Sequence, residues 1–185
     1  MNTETVIRQT RKWVEELVVG LSLCPFARAP FEQDKIRYVV VEGSDPTLFY
    51  AQFVLEVHAL IKAPVAEIET TLLITPDLWR DDFEAYLDAL AACEQLLEET
   101  NLIEAIQLAS FHPDYQFDGT KPEDVENYTN RSPFPMFHLL RAASVEKAVA
   151  AHPAPAKIPE TNIETMRKLG IEHLENLMNE IRKEN

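Results

Sequence analysis

The sequence predicts an α/β protein: a three- to four-stranded, mostly parallel sheet covered by helices, with amphipathic helices at the N-terminus and C-terminus. Three observations carry this. Short β-branched or apolar runs alternate with longer segments of helical periodicity. Capping residues, prolines and glycines punctuate the boundaries between them. A strand–helix–strand–helix–strand order implies parallel pairing through right-handed crossovers, and such a sheet needs helical cover on its faces.

The elements follow in order. From Thr3 to Val19, Val6, Trp13, Val14, Leu17 and Val18 make one buried helical stripe, and Gly20 supplies a stop. "LSLCPFARAPFEQD" is a loop rich in proline and aromatics. "KIRYVVVE" (Lys35 to Glu42) is a β-branched strand bounded by Gly43. "SDP" then caps a helix that runs to Lys62, with Pro46 in its first turn. "TTLLITP" (Thr70 to Pro76) is a second strand. Asp81 and Glu84 have capping-box spacing for a helix that runs to Thr100. "EAIQLAS" (Glu104 to Ser110) is a third strand. A long polar loop, 110–135, follows. "MFHLLR" (Met136 to Arg141) fits strand or helix by pattern. Ser144 looks like a fresh helix cap, which favours a fourth strand before it. "PAPAKIPE" is a rigid connector, and Thr161 with Glu164 caps the last helix. The chain of 185 residues fits a single α/β domain over 1–185, with a C-terminal helical extension over 153–185.

Composition removes several function classes. A formal net charge of -14 repels phosphate backbones and argues against nucleic acid as a partner. No apolar run approaches the ~20 residues of a membrane span. The N-terminus lacks the basic start and short apolar core of a secretory signal, and two cysteines make no disulfide framework. A reducing, cytoplasmic setting is the expectation. Four glycines form neither a dinucleotide fingerprint nor a Walker loop. Paired-cysteine redox, zinc-protease and serine-hydrolase motifs are also missing. The cofactor and the oligomeric state stay open.

Three phrases stand out: "GLSLCPFA" (Gly20 to Ala27), "FHPDYQF" (Phe111 to Phe117) and "NRSPFPMFHLLR" (Asn130 to Arg141). Together they resemble one of the bacterial domain-of-unknown-function families, small cytoplasmic proteins close to this length. The likeness extends to the tail "IPETNIETM". The resemblance implies no activity, cofactor or catalytic residue, so the chemistry has to come from the side chains.

Cys24 lies just beyond the first helix, before proline. As a thiolate it would be a nucleophile or redox thiol, provided a nearby cation or helix N-terminus lowers its pKa. Otherwise it is a small core residue, as Cys93 is expected to be. His112 sits two residues past the third strand, at the edge where ligands of open α/β sheets bind. Its imidazole suits acid–base work. Asn130, Arg131, Ser132, His138 and Arg141 gather donors and cations in an acidic chain, and Arg28 is close to Cys24 in sequence. An arginine fork fits a carboxylate or phosphate. It serves equally to pin the loop against Asp114, Asp118 or Glu123. In an extended strand His138 and Arg141 point to opposite faces.

Three readings result. The first is a cytoplasmic enzyme acting on a small anionic metabolite, with Cys24 and His112 as the catalytic pair and Arg28, Asn130, Arg131, Ser132, His138 and Arg141 around the substrate. The second is a non-catalytic binding module for a small molecule or protein. The third is a metal-dependent enzyme using His112, Asp114 and His138. In all three the loop 110–135 carries the site, and its aromatics anchor it to the core.

Overall fold

A computed structural model of the protein describes residues 2–183. Helix α1 (Thr3–Trp13) runs straight into a π-helical turn (Val14–Val19) and a short helix α2 (Arg28–Glu32). Strand β1 (Ile36–Val40), helix α3 (Pro46–Lys62), strand β2 (Thr70–Ile74), helix α4 (Phe83–Glu99) and strand β3 (Ile106–Phe111) then alternate. After the long loop come strand β4 (Met136–Arg141) and helices α5 (Ala142–Ala151), α6 (Ile158–Leu169) and α7 (Ile171–Arg182).

The sheet is mixed, with strand order β1-β2-β4-β3. β1 and β2 pair in parallel, whereas β2 with β4 and β3 with β4 pair antiparallel. The expected mostly parallel sheet is therefore corrected to a mostly antiparallel one. The reason is specific. β1, β2 and β3 do run in the same direction, as their helical crossovers require. β4 returns from the long loop and inserts between β2 and β3, so the second parallel pairing, β2 with β3, never forms.

Side chains alternate across the sheet and split the core into two layers. On one face Leu72, Ile74 and Met136 pack beneath Val6, Trp13, Leu17, Met166, Leu174, Met178 and Ile181. On the other, Leu73, Phe137 and Leu139 pack against Phe49, Phe53 and Leu60 of α3 and Tyr86, Cys93 and Leu97 of α4. Cys93 is core, as read from its helix. The C-terminal helices are not an appendage: α6 and α7 close the first face together with α1. The continuous last helix expected from Thr161 is instead two, broken at Gly170, whose positive φ of 76° favours glycine.

The π-helical turn has a local cause. Gly20 donates to the Glu15 carbonyl at 2.8 Å, one residue further back than an α-helix allows. A β-carbon at Gly20 would run into the Glu16 carbonyl oxygen, so only glycine fits the widened turn. Ser22, at φ 55°, then reverses the chain and brings the Cys24 loop back towards the sheet.

Candidate functional site

A cavity of about 260 Å³ lies on the first face of the sheet. Its floor is built from all four strands: Ile36, Thr70 and Leu72, Ala109 and Phe111, and His138 and Leu140. Trp13, Val14 and Val18 form one wall, so the π-helical turn faces the cavity, as such turns often do at functional sites. The Cys24 loop and the residues Ser144, Val145 and Ala148 of α5 form the others. The lining is mainly aliphatic and aromatic. Its polar side chains are Cys24, Thr70, His138 and Ser144, with Glu69 and Arg141 where β2 begins and β4 ends.

Cys24 is held by its own turn. Leu23 donates its amide to the Val18 carbonyl at 2.9 Å, and Asn162 of α6 donates to the Leu23 carbonyl at 2.8 Å. Burial raises the thiol pKa above its ordinary value, opposed by backbone N–H groups of Phe26 and Ala27 directed at the sulfur. Cys24 therefore rests as a thiol at neutral pH.

His138 is the imidazole of this cavity. Its Nε2 lies 2.7 Å from Thr70 Oγ1, across the β2–β4 pairing. Desolvation alone lowers its pKa to about 4, so it is neutral at pH 7. His112 is elsewhere. Its ring is fully buried on the other face of the sheet, between Phe83 and Tyr86 at centroid distances of 5.0 and 5.1 Å. Nδ1 accepts the Asp114 amide at 3.0 Å and Nε2 donates to the Trp79 carbonyl at 2.8 Å. Both ring nitrogens are engaged, and Cys24 and His112 do not share a cavity. His112 is a structural histidine that locks the start of the long loop.

The remaining expected residues also serve the fold. Asn130 donates to the Ser110 carbonyl at 3.1 Å, and the fully buried Ser132 donates to the Phe134 carbonyl at 2.6 Å. Arg131 donates to the carbonyls of Tyr115 and Pro122 at 3.3 and 2.6 Å, with its guanidinium 4.7 Å from the Tyr128 ring centre. It pins the loop through carbonyls rather than through the carboxylates expected of it. Arg131 also edges a polar hollow of about 320 Å³, where Asp114 and Glu175 stand beside Arg131 and Arg182. Arg28 donates to the Val19 carbonyl at 3.2 Å and stands 3.6 Å from Glu32. Arg141 reaches the cavity's end, but its guanidinium is bound to the carbonyls of Ala63 and Ile68 at 2.6 and 3.0 Å.

Among the described residues no group of three or more His, Cys, Asp or Glu could hold a metal. His112 and His138 lie on opposite faces, so the set His112, Asp114 and His138 does not assemble. Of the residues expected at a site, Cys24, His138 and Arg141 share one; Thr70, Trp13, Ala109 and Ser144 complete it and were not singled out as site residues. The second and third phrases interlock, and the first lines the same cavity as Phe111 and His138. His112 bridges to Arg131, and Trp13 donates its indole N–H to the Arg131 carbonyl at 3.0 Å. Asn162 ties the "IPETNIETM" tail to the Cys24 loop.

Fold and site together define a mixed-sheet α/β protein with a mainly apolar cavity beneath its N-terminal helix. The chain belongs to the family described as "Protein of unknown function (DUF1415)", which it matches over residues 5–176. No curated protein and no solved structure matches it. No helix among the described residues is long and apolar enough to cross a membrane.

Proposed function

We propose that the protein binds a small, mainly apolar molecule in the cavity beneath α1. The observation that supports this is the lining itself. Binding sites are concave and largely apolar, with a few convergent polar groups, and here Cys24, Thr70, His138 and Ser144 are those groups. At about 260 Å³ the space suits one ring with a short substituent. The anionic metabolite of the first reading is less well served: the one arginine of the lining, Arg141, already donates to the carbonyls of Ala63 and Ile68, and Glu69 adds a negative charge. Burying an anion without a partner is costly.

The test is a titration with 4-methylphenol, followed by methyl resonances. Shifts are expected at Val14, Val18, Leu72, Leu140 and Val145. Ala109→Leu places three more carbons on the cavity floor and is expected to weaken binding at least ~10-fold, with a stability cost no greater than the ~1–3 kcal/mol of overpacking. Shifts scattered over the surface, unaffected by Ala109→Leu, would remove the reading.

An enzymatic reading rests on a separate observation, the presence of Cys24 and His138 in one cavity. In it Cys24 is the nucleophile and His138, not His112, takes its proton. The raised thiol pKa makes a checkable statement: alkylation of Cys24 accelerates only above the ~8.5 of a free thiol. A Cys24 that alkylates rapidly at pH 6–7 would favour the enzyme over the binding module.

A further inference from the structure

The proton positions around His138 follow from the geometry. Thr70 Oγ1 lies 2.6 Å from the Leu139 carbonyl oxygen and 2.7 Å from His138 Nε2. A carbonyl only accepts, and a threonine hydroxyl has one proton. Two oxygens at 2.6 Å need that proton between them, so Thr70 donates to Leu139. The contact with Nε2 then has to be an Nε2–H donating to Thr70. His138 is thereby fixed in the tautomer whose Nδ1 is an unprotonated acceptor.

That acceptor has no partner among the described residues. The buried polar atoms that are sealed off without a partner are Arg8 Nε, the Tyr38 hydroxyl and the Thr71 hydroxyl. Nδ1 is not one of them, so it is not sealed off, and the ring that carries it lines the cavity. A second-strand threonine thus presets a fourth-strand histidine as a hydrogen-bond acceptor inside a mainly apolar cavity.

We infer that the occupant is a neutral hydrogen-bond donor, an alcohol, phenol or ring N–H on an apolar body, held by His138 Nδ1. This rests on the cavity being the binding site. It goes further, since a merely apolar cavity would not distinguish a donor from a hydrocarbon of the same shape. The other donors of the lining, the weak Cys24 thiol, the Ser144 hydroxyl and the Arg141 guanidinium, make no hydrogen bond to His138. A carboxylate offers only acceptors to this acceptor, so it gains no hydrogen bond from Nδ1, and Glu69 repels it.

The experiment compares three probes of one outline on the full-length protein: 4-methylphenol, 1,4-dimethylbenzene and 4-methylbenzoate. Affinities come from the cavity methyl shifts. The phenol is expected to bind about 3- to 10-fold tighter than the hydrocarbon, the range of a net hydrogen bond, and the benzoate not measurably. His138→Leu closes the gap between phenol and hydrocarbon. His138→Gln, which keeps a donor for Thr70 and an acceptor for the ligand, restores it. Equal binding of phenol and hydrocarbon by the native protein overturns the donor inference and leaves the cavity reading standing. So does tightest binding of the benzoate. Failure of all three probes to move the cavity methyls overturns both. The native-protein comparison decides even if a variant does not fold.

Discussion

Trp13→Ala is expected to lower the stability of the protein by about 3–5 kcal/mol, the range for truncating a buried aromatic. The side chain is 1% exposed and is one of the largest fully buried groups. Its ring meets Phe111 edge-on at 5.0 Å, which adds to simple burial. Its indole N–H satisfies the Arg131 carbonyl, so truncation also strips a part-buried acceptor of its partner. The residue joins three parts of the chain: the N-terminal helix, the end of β3 and the long loop. The void would merge with the existing cavity beneath α1. Urea unfolding of the variant beside the native protein measures the loss, and a change below ~1 kcal/mol would mean that α1 does not hold the loop.

The second large effect is a loss of stability in mild acid. His138 has a folded pKa of about 4 against an ordinary 6.5. Between those values the unfolded chain binds the proton and the folded one does not. Stability is therefore fully present above pH 6.5 and falls as the pH drops towards 4, then levels off. A gap of this size amounts to roughly 3 kcal/mol, most of it lost by pH 4.5. His112, also lowered chiefly by burial, acts in the same direction. The contribution of His138 is isolated by comparing native protein with His138→Gln at pH 7 and pH 4.5. The variant is expected to lose about 2–3 kcal/mol less between the two. Equal losses would mean that His138 takes up its proton in the folded state, in conflict with its apolar surroundings and with a preset acceptor.

These expectations also show what could be read from the chain beforehand. The helices and strands were legible because each carries its own period and punctuation: the Trp13 and Leu17 stripe, the "RYVV" run, the Asp45–Pro46 start. Strand order was not. Whether β4 lies at an edge or between β2 and β3 depends on tertiary pairing, which no local pattern encodes. Chain direction was right for three strands and insufficient to place the fourth.

The site was legible by residue type and not by location. Cys24 and His138 were both singled out, but the histidine expected to join Cys24 was His112, because it follows β3 at the edge where open parallel sheets bind ligands. The insertion of β4 changes that geometry. The loop beyond β3 folds on itself around the fully buried Asn127, which accepts the Phe117 amide at 3.0 Å and donates to the Lys121 carbonyl at 2.8 Å. Arg131 and Ser132 then satisfy that loop's own carbonyls. The polar residues of the long loop are the cost of ordering an irregular backbone, and the cavity opens on the sheet face instead. Thr70 had no signal of its own. A threonine at the start of a strand is commonplace, and only the β2–β4 register sets it against His138.

The most direct measurement is a crystal structure of the protein soaked with 4-methylphenol. The ring is expected between Trp13, Leu72 and Leu140, with the hydroxyl at hydrogen-bond distance from His138 Nδ1 and Thr70 still bridging Nε2 to the Leu139 carbonyl. A cavity closed by collapse of its walls, or phenol bound only in the polar hollow beside Arg131 and Arg182, would contradict it.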